Sequence, residues 1–418
     1  MNAMGMGAVA MGERAIARCD ALGAPPYSLA EDRLDRPYLT SAHAAALDAV
    51  SGWMREAGLA VRIDPIGNLV GRLGPADAPA LIIGSHIDSV RDAGRYDGPL
   101  GIMIGIECAQ ALAVRGGALP FALEVIAFGD EEGSRFPISM MGSRALTGPL
   151  PRAQLALADA EGTTVADALA GFGLDPDAVD NAARPAGQVI AYVEPHIEQG
   201  PVLEAAGLPV GVVTGIAGQV RLIARFKGQA GHAGTSPMHL RKDALAAAAE
   251  AILAIERVCA GGPPDLVGTV GRLIIPKGAF NVILGEAEIG VDVRAASDSV
   301  RDAAAAAIQH EIHTLAERRG LAVTVEVAQS LPASPCDPRL VGLMESAVAS
   351  VGISPLRLVS GAGHDAMALA KIAPTAMLFI RCAGGISHNP AEHASAADAD
   401  VACRAMLAFI DRLAETWP

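Results

Sequence analysis

Apolar residues along this chain follow two rhythms. Short runs are apolar at nearly every position and rich in β-branched side chains. They lie at 80–83, 121–128, 189–193 and 375–380. The first predicts a strand buried on both faces, and the other three predict further strands. Between them lie longer segments with helical spacing. Leu47, Val50 and Met54 would form one face of a helix capped by Thr40 or Ser41 and ended by Gly58. Residues 100–114, 340–351 and 397–416 predict three more helices, and a further helix opens the chain before Pro25, Pro26 and Pro37. Val61 and Ile63 alternate as a strand, 64–68 turn, and Leu69 to Gly71 return. Residues 151–188 carry only small helices and loops.

The rhythm changes at about Gly215. Strands are expected at 220–226, 266–275, 286–294 and 321–327. Helices are expected at 243–258 and 299–318, the second capped near Ser299. The order β-α-β-β-α-β is that of a ferredoxin-like unit. The fold expectation is therefore α/β: a catalytic domain with a central, mostly parallel sheet from 1–214 and 331–418. A ferredoxin-like lid and dimerisation domain would be inserted at 215–330.

A chain of 418 residues is long enough for two domains. Hydrophobic residues make up 51% and aromatic residues only 3%, so the core must rest on Ala, Val, Leu and Ile. A net charge of −14 argues against nucleic acid as a partner. The six cysteines form no close pair, which fits a reducing compartment. The apolar residues 1–11 lack the basic lead and long apolar core of a signal peptide, and 100–114 is too short to span a membrane. A cytoplasmic protein without a membrane partner is the expectation.

Chemistry gathers where the expected strands stop. His86 ends the 80–83 run and Asp97 precedes the next helix. Glu131 and Glu132 follow the 121–128 run, His196 follows 189–193, and His388 follows 375–380. Open α/β sheets bind their ligands at this carboxyl edge. Three imidazoles with several carboxylates suit two divalent metal ions, zinc first, with manganese, cobalt or nickel as alternatives. The set divides into His86 and His196 on one metal and Glu132 with His388 on the other, with Asp97 shared. Glu131 is left as general base, a division of labour between adjacent carboxylates. Asp88 would accept a proton from the second ring nitrogen of His86.

Six stretches, in this order, resemble the hydantoinase/carbamoylase family of amidohydrolases, relatives of the dinuclear aminoacylases and carboxypeptidases. They are 84–98, 131–136, 196–200, 231–238, 360–365 and 386–390, and the resemblance spans nearly the whole chain. It implies the same metal assignment, with Glu131 as base. It also implies a lid that offers His232, Asn281 and Arg294 to the substrate. His232 would act across a homodimer formed through the lids. Gln199 and the backbone of Gly361 and Ala362 would help hold the ligand. The expected substrate is a small ureido carboxylate, an N-carbamoyl-L-amino acid first, with allantoate or an N-carbamoyl-β-amino acid as alternatives. A dipeptidase or N-acyl-amino-acid deacylase is the more distant alternative. A non-catalytic relative would have lost Glu131 or a ligand, and none is lost here. His364 is read as a brace of the Gly-rich loop. His43, His239, His310, His313 and His393 receive no role.

Overall fold

The computed structural model describes residues 10–276 and 278–417. Residues 1–9, which carry most of the segment read as lacking a leader, lie outside that range. The chain divides into two units, Met1–Thr214 with Cys336–Pro418, and Gly215–Pro335.

The first unit is built on a mixed sheet. Its strands are β1 (Ala60–Ile63), β2 (Leu69–Leu73), β3 (Ala80–His86), β4 (Ala122–Phe128), β5 (Val189–Ile197), β6 (Val210–Ile216), β7 (Arg357–Ser360) and β8 (Thr375–Ile380). They run in the order β1-β2-β4-β3-β5-β8-β6, with β7 beside β6. The central four, β4-β3-β5-β8, are mutually parallel. Every residue of these four is buried, which explains their largely apolar sequences. Parallel strands share one carboxyl edge, so His86, Glu131, His196 and His388 are delivered to the same side.

The helix Pro99–Arg115 packs on β3, β4 and β5 and against Met11–Ala21 and Ala396–Thr416. It approaches closely at Gly101, where a Cβ would collide with the carbonyl of Pro195. Thr40 caps the helix Ser41–Glu56 by accepting from the backbone N–H of His43 at 3.3 Å.

Two features of the sheet were not legible in the pattern. Strand β5 runs through Pro195 and His196 to Ile197 instead of stopping at Val193. Proline removes a ladder donor, but β3 ceases to pair with β5 at Ile83–Val193. The side of β5 that Pro195 would have to serve is thus already unpaired, while Tyr192 and Glu198 donate to Pro374 and Ile380 on the other side. Strands β6 and β7 were also missed; β6 is interrupted by Gly211 and Gly215 and β7 is short.

In the second unit the elements are the strand Gly218–Lys227, helix Ala244–Ala260, strands Val267–Ile274 and Glu286–Ala295, helix Asp298–Arg318 and strand Ala322–Leu331. The sheet order is fourth-first-third-second, and every pairing is antiparallel. On the first strand Val220, Leu222, Ala224 and Phe226 are buried, while Arg221 and Arg225 face out. The buried side meets Ala247, Ala248 and Ala251 of one helix and Ile308, Ile312 and Leu315 of the other. Asp243 caps the first helix. The second helix begins at Asp298 with Ser297 at the cap position, not Ser299, and no side chain caps it. The last strand extends to Leu331 and the unit to Pro335, past the boundary at 330 that the sequence suggested.

Among the described residues, no helix is long and apolar enough to cross a membrane. All six cysteines are buried and unpaired.

Candidate metal centre

Asp97 is the hub of the carboxyl edge. His196 Nε2 lies 3.2 Å and His86 Nε2 3.4 Å from its Oδ1. His388 Nε2 lies 3.4 Å from its Oδ2 and 3.5 Å from Glu132 Oε1. The two carboxylate oxygens therefore face two different donor groups, His86 with His196 and Glu132 with His388. Glu131 is buried beside Glu132, and one ligand atom each from His86, Glu131 and Glu132 falls within 4.8 Å of the others.

Backbone geometry sets these side chains. Gly98 has φ +83°, and a Cβ there would collide with the carbonyl and ring of His86. Six non-glycine residues among those described have positive φ. Three of them are Asp130, Gln199 and His388, at or next to the site. Strain concentrated in this way is characteristic of functional sites.

The ring of His86 is oriented by the backbone carbonyl of Asp88, 3.0 Å from Nδ1, not by the Asp88 carboxylate, whose nearer oxygen is 3.9 Å away. That corrects the role expected for Asp88. Its carboxylate instead accepts the backbone N–H groups of Glu131 at 3.1 Å and Glu132 at 3.2 Å, one on each oxygen. His196 is held in the same way as His86, with Nδ1 2.9 Å from the carbonyl of Ile197.

Both rings thus donate from Nδ1 and present a bare Nε2 lone pair to Asp97 Oδ1. His196 Nε2 and Asp97 Oδ1 are buried with no hydrogen-bond partner. Neutral rings and a carboxylate facing one another at this distance repel, and a divalent cation between them, or a proton on the ring, relieves that repulsion. The surrounding charge agrees. Burial pushes the Glu131 carboxyl well above the usual carboxylate range, with Glu132 and Asp365 adding to this and His86 opposing it. Glu132 is pushed up to about 8 by burial, against His86 and with help from Asp97 and Asp88. Crowded, buried acids of this kind become ionised neighbours once divalent cations sit among them. The residues fit a pair of divalent metal ions held by nitrogen and oxygen donors.

Two supports of Asp97, Glu392 and Ser387, were missed by sequence reading, and a third, Gln199, was expected on the ligand and not on Asp97. Glu392 Oε1 accepts the backbone N–H groups of Tyr96 at 2.8 Å and Asp97 at 3.0 Å. Ser387 donates to Asp97 Oδ2 at 2.6 Å. Gln199 Nε2 donates to the same oxygen at 2.7 Å, while its Oε1 is buried without a partner. The only signal available was adjacency: Ser387 and Glu392 flank His388.

His364 is buried with Nε2 2.7 Å from Ser360 Oγ, which also donates to the Ala362 carbonyl. It braces the Gly-rich loop and also stands within a buried cluster with Glu194 and His196. The N–H of Ala362 also turns onto Ser360 Oγ, at 3.2 Å, instead of outward, and Gly361 is the exposed residue before it.

The remaining candidates lie in the second unit. His232 and Asn281 are neighbours on a two-stranded ribbon, Gly231–His232 paired with Val282–Ile283. The Asn281 carbonyl accepts the N–H of Ala233 at 2.9 Å. Arg294 sits apart from the ribbon, in the strand Glu286–Ala295, and forks onto both oxygens of Asp292 at 2.8 and 3.1 Å.

Comparison with known proteins gives the same architecture and chemistry a family. The model of peptidase family M20/M25/M40 matches residues 82–412. An N-carbamoyl-L-amino acid amidohydrolase of Geobacillus stearothermophilus is 43% identical over 90% of this chain and 92% of its own. An allantoate deiminase of Arabidopsis thaliana is 40% identical over 96% of this chain and 82% of its own. A crystal structure of a hydantoinase/carbamoylase family amidase from Burkholderia multivorans superposes with a TM-score of 0.89 and 33% identity, covering 96% of this chain and 97% of the other. The chain belongs to peptidase family M20/M25/M40 and, within it, to the hydantoinase/carbamoylase amidases.

Proposed function

We propose that this protein is an N-carbamoyl-L-amino acid amidohydrolase that works with two divalent metal ions, zinc first. The observation that carries the reading is the division of the two Asp97 oxygens between two donor groups, with a buried spare carboxylate, Glu131, beside them. His86, His196 and Asp97 would hold one ion, and Asp97, Glu132 and His388 the other. When bound, such a pair supplies Lewis acidity and lowers the pKa of water. Glu131 takes the proton of the attacking water as its oxygen bonds to the ureido carbon. The carbon–nitrogen bond then breaks, and Glu131 passes that proton to the leaving nitrogen. The unpartnered Oε1 of Gln199 is an acceptor suited to a ureido group, which carries N–H donors on both sides of its carbonyl where a peptide carries one on a single side. Arg294 would hold the substrate carboxylate, and Asn281 and Gly361 would add polar contacts.

His232 of the partner subunit would donate to the carbonyl oxygen, in a homodimer formed through the second unit. Exposed apolar side chains around the ribbon, Met238, Leu240, Phe280 and Val282, support a covered surface there. Six free buried cysteines support a cytoplasmic location.

Allantoate amidohydrolase is the second reading, carried by the similar identity to the Arabidopsis relative. Turnover on a panel of N-carbamoyl-L-amino acids, allantoate, N-carbamoyl-β-alanine and dipeptides decides among them. Preference for dipeptides would overturn the ureido reading. Mixing His232→Ala with Glu131→Gln tests the dimer. Recovered activity, at most about half the sites of each mixed dimer by two-fold symmetry, places His232 in trans. No recovery despite proven subunit exchange removes it from the partner's site.

A further inference from the structure

The turn after His232 fixes what that ring can do. The backbone N–H of Gly234 lies 3.1 Å from His232 Nδ1. An amide N–H only donates, so Nδ1 must accept. In the neutral ring the proton is then on Nε2, the nitrogen that points away from the turn. His232 is built as a neutral hydrogen-bond donor, not as a base.

The turn itself is held from outside. Thr235 and Ser236 both direct their N–H groups at the His232 carbonyl, at 3.4 and 3.3 Å, which are long contacts. Arg241 supplies the firmer hold. Its Nη2 donates to the Ala233 carbonyl at 2.6 Å and its Nε to the Ser236 carbonyl at 3.0 Å. One planar fork thereby ties the two ends of the segment that contains Gly234. Among the described residues Arg241 pairs with no carboxylate, so its charge serves these carbonyls alone. His232 is exposed, and without the turn its ring would sample both tautomers and several rotamers.

We propose that Arg241 is a positioning residue: by clamping the 233–236 turn it keeps the Gly234 N–H on His232 Nδ1 and so presents Nε2–H as a donor to the substrate carbonyl. This inference rests on the carbonyl-donor role of His232 given above, but the tautomer can be measured without it.

The test uses the full-length, metal-loaded protein labelled with nitrogen-15 histidine, with the His232 signals assigned by difference from His232→Gln. The parent should show one neutral tautomer, with Nδ1 unprotonated, and a Gly234 amide protected from exchange. In Arg241→Ala a population protonated at Nδ1 should appear and the Gly234 amide should exchange faster. There kcat should fall about tenfold with KM nearly unchanged, part of the roughly 10²–10³-fold that loss of a whole carbonyl donor costs. Arg241→Lys should recover part of the loss, since a point charge can hold one carbonyl but not fork onto two. A parent ring protonated at Nδ1, or equal tautomer populations in the parent and both Arg241 variants, overturns the proposal. The expected tautomer shift combined with full turnover by His232→Ala, which has no donor, would uphold the clamp and sink the carbonyl-donor role instead.

Discussion

Asp88→Asn separates two ways of building this site. The substitution keeps shape and changes one oxygen to an amide nitrogen. Asp88 now accepts the N–H groups of Glu131 and Glu132, one on each oxygen. Asparagine can accept only one of them and turns a donor toward the other. Losing one hydrogen bond to a charged acceptor and stranding a buried N–H costs about 3–5 kcal/mol in all. That cost falls on the segment carrying Glu131 and Glu132, the proposed base and one proposed ligand. The His86 ring is untouched, because it is held by the Asp88 backbone carbonyl. Metal content and chelator competition should therefore show one ion retained near parental affinity and the other weakened about 10–100-fold. Turnover should stay low even at saturating metal, since Glu131 is displaced along with Glu132. Equal weakening of both ions would restore the Asp88 carboxylate as the partner of His86. Unchanged metal affinity and turnover would refute any organising role for it.

Glu131→Gln should keep both ions and lose about 10²–10⁴ in kcat, read by metal analysis beside steady-state kinetics. Asp97→Ala should lose both ions, because its two oxygens serve both donor groups; a variant that still binds two would refute the shared-ligand assignment. Arg294→Lys should raise KM for a carboxylate substrate while keeping charge, since the fork is lost; identical kinetics would remove Arg294 from the clamp. His43 is fully buried, and burial, aided by Arg36, holds its pKa down to about 3. Its folded pKa is below the unfolded value near 6.5, so its contribution is present above pH 6.5 and is lost as pH falls toward 3. Between those limits the parent should lose about 1.4 kcal/mol more per pH unit than His43→Gln, and parallel pH dependence of denaturant midpoints would contradict this.

Much of the fold was written in local sequence. Continuous β-branched runs can be satisfied only by strands covered on both faces, and parallel strands place their carboxyl ends together. That is why His86, Glu131, Glu132, His196 and His388 group together on sequence alone. The antiparallel unit was legible because buried residues alternate with more exposed ones along its two central strands, Gly218–Lys227 and Glu286–Ala295. What the sequence did not contain was which atom faces which. His86 and Asp88 are two residues apart, and either the carboxylate or the carbonyl of Asp88 could have met the ring; the backbone path chose the carbonyl and sent the carboxylate to Glu131 and Glu132. The supports of Asp97 come from Ser387 and Glu392, nearly three hundred residues along the chain. Strand β5 can cross Pro195 because β3, though it continues to His86, no longer pairs with it beyond Ile83–Val193. Residue type and spacing fix which groups reach an edge. Direction and partnership of each hydrogen bond depend on backbone torsions and on distant segments, and those exist only once the chain has folded.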